Sequence, residues 1–120
     1  MKSVRARAPV RIDLAGGTLD IWPLYLAMGG VVTVNAALDL PVEARLEPRT
    51  DARIVLRSED LDRTVEYAGL SELDAACEAD TCSLPLLSQS VRATRPTGGF
   101  ALTTRSGVPA GSGLGASSAL

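Results

Sequence analysis

The sequence predicts a single α+β domain, and three observations support this fold class. The 120 residues are enough to bury one core without disulfides or metal ions. Apolar residues alternate with polar ones over much of 4–69 and again over 98–106, which is typical of strands with one buried face. Between these regions, 71–95 carries apolar residues at helical spacing. No internal repeat or linker interrupts the sequence, so one α+β unit is expected.

Strands account for most of the first half of the chain. The predicted strands cover 4–8 with a continuation at 10–14, 31–38, 41–48, 52–59 and 63–69. Residues 23–28 predict one or two turns of helix with Pro23 at the first position, ended by Gly29 and Gly30. A short helix, a glycine turn and a strand therefore explain the charge-free stretch 21–38, whose composition resembles a membrane span.

The pattern changes at Ser71, which is a capping-type residue followed by helix formers. Leu84, Leu87 and Val91 then recur at helical spacing. The elements predicted for the rest of the chain are helices over 71–80 and 84–95, or one helix broken near Thr81, a strand over 98–106, and a helix that begins near Gly115.

Composition and charge exclude several classes of function. The formal net charge is -2 and the arginines are scattered among acidic residues, so we expect no nucleic-acid partner. Cys77 and Cys82 occur in a chain without histidine, so we expect no zinc site and two reduced thiols that pack on a helix. No apolar stretch follows the basic N-terminus, which argues against a secretory signal. We expect a cytoplasmic protein without a membrane partner, and the sequence leaves its oligomeric state open.

The segment "GVPAGSGLGASSAL", residues 107–120, has the composition of an anion-binding loop. Amides of a glycine-rich turn can point inward together, and the first turn of the following helix adds N–H groups without partners. Glycine leaves the approach to a phosphate open and tolerates positive φ. Ser117 and Ser118 add hydroxyls for a phosphate oxygen or its Mg²⁺. The alternative interpretation is a tight strand-to-helix turn.

Two other phosphate-binding motifs fit this segment less well. A Walker loop requires a lysine, and no lysine follows Lys2. The letters "GSGLGA" satisfy the dinucleotide fingerprint, but "TTRSGVP" stands where an apolar strand is required, and the ribose-binding acid would lie beyond Leu120.

The segment "VPAGSGLGASSAL" resembles the second signature of the GHMP kinases, which wraps the nucleotide phosphates. Pro109, Gly113, Leu114 and Gly115 match it directly, whereas Ala116 stands in place of the first signature serine. The resemblance implies that Ser117 is the Mg²⁺ ligand, with Ser118 as the fallback. The ATP-binding residues that it implies are Pro109, Ala110, Gly111, Ser112, Gly113, Leu114, Gly115, Ala116, Ser117 and Ser118.

The segment "APVRIDLAGGTLDIWPLY" resembles the first signature of the same family. It is nearest the sugar-kinase branch that includes D-glycero-D-manno-heptose 7-phosphate kinase and galactokinase. The residues that match the galactokinase form are Ala8, Pro9, Arg11, Leu14, Gly16 and Asp20. The substrate-binding residues implied are Arg11, Gly16, Gly17, Thr18 and Asp20, with Arg11 also catalytic. Taken alone, Arg11 reads as a solvated strand residue and Asp20 as a helix N-cap, and Asp13 reads as a surface residue.

The resemblance also implies a fold and an activity. The fold is the ribosomal protein S5 domain 2-like two-layer sandwich of the GHMP kinase N-terminal part. Residues 1–120 are expected to form that domain, incomplete at its C-terminal end, with the ferredoxin-like C-terminal domain and the general base absent. The expected reaction transfers the γ-phosphate of ATP, with Mg²⁺, to a sugar or sugar-phosphate hydroxyl, and the isolated chain is expected to be inactive. A non-catalytic nucleotide-binding remnant or regulator, and a kinase for homoserine or mevalonate, remain alternatives.

Overall fold

The structure, a computed structural model, describes residues 2–19, 21–109 and 111–120 and contains one five-stranded sheet with four helices among them. The elements are β1 (Val4–Ala15), α1 (Leu24–Ala27), β2 (Val34–Pro48), β3 (Ile54–Ser58), β4 (Arg63–Tyr67), α2 (Leu70–Glu78), α3 (Pro85–Thr94), β5 (Phe100–Ser106) and α4 (Ala116–Ala119). The strand order is β1-β2-β5-β3-β4. Both strands and helices are present and the strands form a single sheet, so the predicted α+β class is confirmed.

The sheet is mixed. Strand β3 pairs parallel with β5, with Ile54 opposite Phe100, and antiparallel with β4, with Ile54 opposite Tyr67. The parallel pair needs a crossover, because its strands run in the same direction. Helices α2 and α3 supply the connection between β4 and β5.

The chain divides into two compact units. The first contains the described residues up to Arg7 together with Glu43–Arg105, and the second contains Ala8–Val42 and Ser106–Leu120. We call them unit 1 and unit 2. Both glycine-rich segments singled out from the sequence fall in unit 2.

Unit 1 has a core between the sheet and the two longer helices. Its buried residues are Ile54, Leu56, Tyr67, Leu73, Leu84, Leu87, Val91 and Phe100. These side chains come from β3, β4 and β5 on one side and from the α2–α3 region on the other. Asp74 of α2 also accepts hydrogen bonds from Arg95 at 2.6 Å and Arg92 at 3.2 Å, which joins the helices at their surface. The helices therefore cover the sheet face that carries the buried residues of β3, β4 and β5.

Unit 2 has a smaller core of three buried valines, Val10, Val42 and Val108. Partly buried apolar side chains pack against them, among them Leu38 and Leu114. None of the helices in the described residues is long and apolar enough to cross a membrane.

Strand β2 differs from its prediction, because 34–48 is one continuous strand rather than two. The two segments predicted as separate strands, 31–38 and 41–48, are joined through Asp39 and Leu40. Beyond this junction, the Pro41 carbonyl accepts a hydrogen bond from the Gly107 N–H at 2.8 Å. The β-branched residues 31–33 precede the strand instead of starting it.

The helical region forms two helices, which resolves the alternative left by the sequence. Helix α2 begins at Leu70 with Gly69 as its N-cap, so the prediction that Ser71 caps it is wrong. Glu72 instead accepts a hydrogen bond from the Ala68 N–H at 2.6 Å, close to the helix start. Cys77 lies on α2 as expected, but Cys82 lies in the loop before α3, not on a helix.

Candidate functional site

The glycine loop between β5 and α4 is anchored at both ends in the core of unit 2. Val108 is buried with 6% of its surface exposed, and Leu114 packs partly buried against the same valine cluster. At the start of the loop, the Ser106 hydroxyl donates to the Val108 carbonyl at 2.9 Å and accepts from the Val108 N–H at 3.2 Å. The residues at both ends of the loop therefore belong to the core of unit 2.

Three glycines of the loop adopt the left-handed conformation. The φ angles are 79° at Gly111, 72° at Gly113 and 70° at Gly115. A side chain at Gly111 or Gly113 would meet no atom within 4 Å, so the backbone here faces open space. Conformation, rather than crowding, explains these two glycines.

Arg11 contacts the loop through both its main chain and its side chain. The Arg11 N–H donates to the Leu114 carbonyl at 3.0 Å. A Cβ atom at Gly115 would lie 3.6 Å from the Arg11 Cγ, so the arginine stem passes beside the residue that caps α4. The two segments that carry the sequence motifs are therefore neighbours within unit 2.

Asp13 is a charged residue of this region that the sequence analysis assigned to the surface. Its Oδ1 lies 3.6 Å from Nε of Arg11, and the two side chains are 39% and 54% exposed. A Cβ atom at Gly17 would come within 2.7 Å of the Asp13 Oδ2. The sequence could have predicted the contact between Arg11 and Asp13, because side chains two residues apart on a strand point to the same face.

The turn after β1 holds the predicted substrate-binding glycines. Gly16 has φ of 80°, and a Cβ atom there would overlap the Val32 carbonyl oxygen. Its own carbonyl accepts the Leu19 N–H at 3.0 Å, which closes the turn, and Thr18 is exposed within it. Asp20, the acidic member of this predicted set, lies outside the described residues.

The remaining predicted loop residues are arranged as follows. Pro109 is exposed, and its carbonyl accepts the Ser112 N–H at 3.3 Å. Ala116 and Ser117 begin helix α4, with the Ser117 side chain exposed. Ser118 lies in the same helix, and Ala110 lies outside the described residues.

A separate polar groove of about 250 Å³ lies on unit 1 and contains none of the predicted site residues. Acidic and basic side chains of neighbouring strands line it, and two of them, Arg45 and Glu47, pair at 2.7 Å. Within the described residues, no cluster of three or more histidine, cysteine or acidic residues could hold a metal ion. The groove therefore carries charges of both signs.

Comparison with curated proteins finds sugar kinases. The chain is 35% identical to D-glycero-alpha-D-manno-heptose 7-phosphate kinase of Campylobacter jejuni over 121 residues, which cover 100% of this chain and 35% of that protein. It is 34% identical to L-fucokinase/L-fucose-1-P guanylyltransferase of Bacteroides fragilis, over 98% of this chain and 14% of that protein. A scan against protein-family models finds no match.

Comparison with solved structures also finds kinases that act on small molecules. A D-glycero-D-manno-heptose 1-phosphate kinase from Bacteroides thetaiotaomicron superposes with a TM-score of 0.68 at 28% identity, over 95% of this chain and 37% of that one. In sequence and in fold, the chain is therefore similar to part of these sugar kinases. The match spans about a third of the length of these heptose kinases. The mevalonate kinase of Methanococcus jannaschii shares the fold, with a TM-score of 0.71 at 18% identity, over 98% of this chain and 37% of that one.

Proposed function

We propose that this chain is the nucleotide-binding part of a GHMP-type kinase that transfers the γ-phosphate of ATP to a hydroxyl of a sugar or sugar phosphate. The observation that carries the proposal is the hydrogen bond from Arg11 to Leu114, since it joins the two motif segments in one unit. Curated relatives that are sugar kinases support the acceptor class.

The glycine loop suits a polyphosphate. Its open face around Gly111 and Gly113 lets a phosphate group approach the main chain without meeting a side chain. Backbone amides of such a turn and of the first turn of α4 attract anions. The anchors Val108 and Leu114 hold the loop in shape before the ligand arrives, which lowers the entropic cost of binding.

Arg11 and Asp13 form the charged part of the proposed site. The Arg11 guanidinium lies on the loop side of β1 and would neutralise charge on the transferred phosphoryl group. Asp13 would orient that guanidinium through their 3.6 Å contact. The Ser117 hydroxyl is exposed at the start of α4, where it would bind Mg²⁺. ATP would supply the phosphoryl group, and Mg²⁺ would offset the negative charge of its β- and γ-phosphates.

The turn after β1 supplies the proposed sugar contacts. The main chain at Gly16 and Gly17 and the exposed hydroxyl of Thr18 offer hydrogen-bonding groups, and Asp20 completes the proposed set as an acceptor for sugar hydroxyls. The proposal assigns no general base among residues 1–120, so we expect this chain to bind Mg²⁺·ATP without turning it over.

Nucleotide binding to the 120-residue chain is the first test. Calorimetric titration with Mg²⁺·ATP should detect binding, and Arg11→Ala should weaken it about tenfold or more, because a hydrogen bond to a charged group contributes roughly 1.5–3 kcal/mol. Arg5→Ala is the matched control, since Arg5 is an exposed arginine on the same strand, and it should leave affinity unchanged. Equal effects of the two substitutions, or no binding at all, would contradict the assignment of the loop.

Transfer is tested in a chimera in which these residues replace the matching third of the Campylobacter jejuni heptose kinase. We expect ATP-dependent phosphorylation of at least one compound in a panel of sugars and sugar phosphates. A chimera that binds ATP but transfers phosphate to no sugar, homoserine or mevalonate would instead support the non-catalytic alternative, which Ala116 in the place of a signature serine favours.

A further inference from the structure

Two cysteine sulfur atoms contact each other at the end of helix α2. Cys77 lies in the last turn of the helix and Cys82 in the loop that leads to α3, and their Sγ atoms are 2.9 Å apart. Both are free thiols and both are partly buried. They are separated by only four residues, so the contact depends on how the chain turns between them.

The main chain of the turn brings the two cysteines together without any help from the thiols. Asp80 adopts a left-handed conformation with φ of 55°, and its N–H donates to the Cys77 carbonyl at 3.3 Å. The Thr81 N–H donates to the Ala76 carbonyl at 3.0 Å. This pair of bonds is the Schellman motif, which ends a helix and reverses the chain. Cys82 follows directly and is returned toward Cys77.

The two thiols have different surroundings. Cys77 packs against the core of unit 1, and burial, with a further contribution from Cys82, raises the pKa of its thiol. Cys82 stands between the exposed residues Thr81 and Ser83 in the loop. The loop position of Cys82 and the packing of Cys77 against the core favour Cys82 as the first thiol to react with a small reagent.

We propose that Cys77 and Cys82 are a covalent modification site that closes to an intramolecular disulfide with a low-molecular-weight disulfide as the oxidant. The Cys82 thiolate attacks one sulfur of the oxidant, which forms a mixed disulfide and releases one small thiolate. The Cys77 thiolate then attacks the Cys82 sulfur and releases the second small thiolate. The protein loses two electrons and two protons, and the oxidant is reduced to two thiols.

Glutathione redox buffers test the proposal on the 120-residue chain. Acid-quenched samples are analysed by intact mass and peptide mapping, in native buffer and in a denaturing concentration of urea. We expect a product two mass units lighter with a Cys77–Cys82 link. Disulfide formation and folding are linked, so if the Cys77–Cys82 disulfide stabilises the fold, the fold must favour the disulfide by the same free energy. The equilibrium constant for forming the disulfide should therefore be at least about tenfold larger in native buffer than in urea. Equal constants, a lasting glutathione adduct or a disulfide-linked dimer would overturn the proposal.

Single-cysteine variants test the order of attack. Cys77→Ala leaves Cys82 in the loop and should take up glutathione faster than Cys82→Ala, which leaves Cys77 packed against the core. The opposite order would refute the assignment of Cys82 as the first nucleophile. The comparison in urea uses the unaltered chain, so the proposal is tested even if a variant does not fold.

Discussion

At the scale of single residues, two glycines with the same backbone angle serve different purposes. Gly16 and Gly111 have φ of 80° and 79°, but a side chain at Gly16 would overlap the Val32 carbonyl, whereas one at Gly111 would meet open space. Sequence alone marks both as glycines in glycine-rich turns. Only the structure separates the requirement for close approach from the requirement for conformation.

Gly16→Ala should therefore destabilise the protein more than Gly111→Ala. Gly111→Ala is the control and is expected to lower the free energy of unfolding by about 1 kcal/mol, which is the usual cost of placing a non-glycine residue in the left-handed region. Gly16→Ala should lower it by at least about 1 kcal/mol more, because the Val32 main chain must also move. Urea denaturation measures both, and equal losses would show that the contact with Val32 has no energetic effect.

Asp51 should make stability depend on pH in the acidic range. Arg49 donates to both its carboxylate oxygens, at 2.7 and 2.6 Å, and this lowers the pKa of Asp51 from 3.8 to about 2. A lowered carboxyl pKa contributes stability that is complete above pH 3.8 and is lost as the pH falls toward 2. Asp51→Asn should flatten the decline of the urea midpoint between pH 4 and 2, and Arg49→Gln should do the same. An undiminished decline in both variants would contradict this cause.

At the scale of elements, periodicity in the sequence predicts most of the helices and strands. The pattern of Leu84, Leu87 and Val91 identifies the buried side of the α3 region, and all three are buried. The errors occur at boundaries, where hydrogen-bond partners distant in sequence decide the outcome. Strand β2 runs without a break through Pro41, whose carbonyl accepts a hydrogen bond from Gly107, and no local pattern reveals that partner.

The turn between α2 and α3 offers a substitution that should stabilise the fold. Asp80 adopts the left-handed conformation that favours glycine, so Asp80→Gly should raise the free energy of unfolding by up to about 1 kcal/mol. Ala79→Gly is the matched control, because Ala79 has an ordinary right-handed conformation and gains nothing from glycine. That substitution should lower stability by roughly 0.5–1 kcal/mol. Urea denaturation would contradict the argument if both changes were destabilising by the same amount.

At the scale of the whole molecule, the two units differ in the size of their cores. Unit 1 has eight buried residues in its hydrophobic cluster and unit 2 has three. The sequence predicted the fold class and the similarity to sugar kinases, because these depend on periodicity and on two local motifs. It did not predict the division into units, which depends on contacts between residues far apart in the chain. The contact between Arg11 and Asp13 was missed for a different reason, since each charge alone resembles a solvated strand residue.

Amide hydrogen exchange should be slower in unit 1, which has the larger core, than in unit 2. Peptides from β3 and β5 should remain protected at higher urea concentrations than peptides from residues 8–42, because local stability rises with buried apolar contacts. Leu73→Ala should abolish much of that advantage, since the side chain is fully buried and its removal costs about 2–5 kcal/mol. Protection that is lost first in β3 would contradict the expectation.

The apolar anchors beneath the glycine loop have a consequence for mutational surveys. Val10 and Val42 pack with Val108 beneath the loop, inside the protein and away from its open face. Replacing either valine with alanine would remove packing contacts from Val108 and leave the loop less ordered. The ligand would then have to order the loop on binding, which weakens its affinity. A screen for nucleotide affinity would then score these valines as functional residues, although neither could touch the nucleotide.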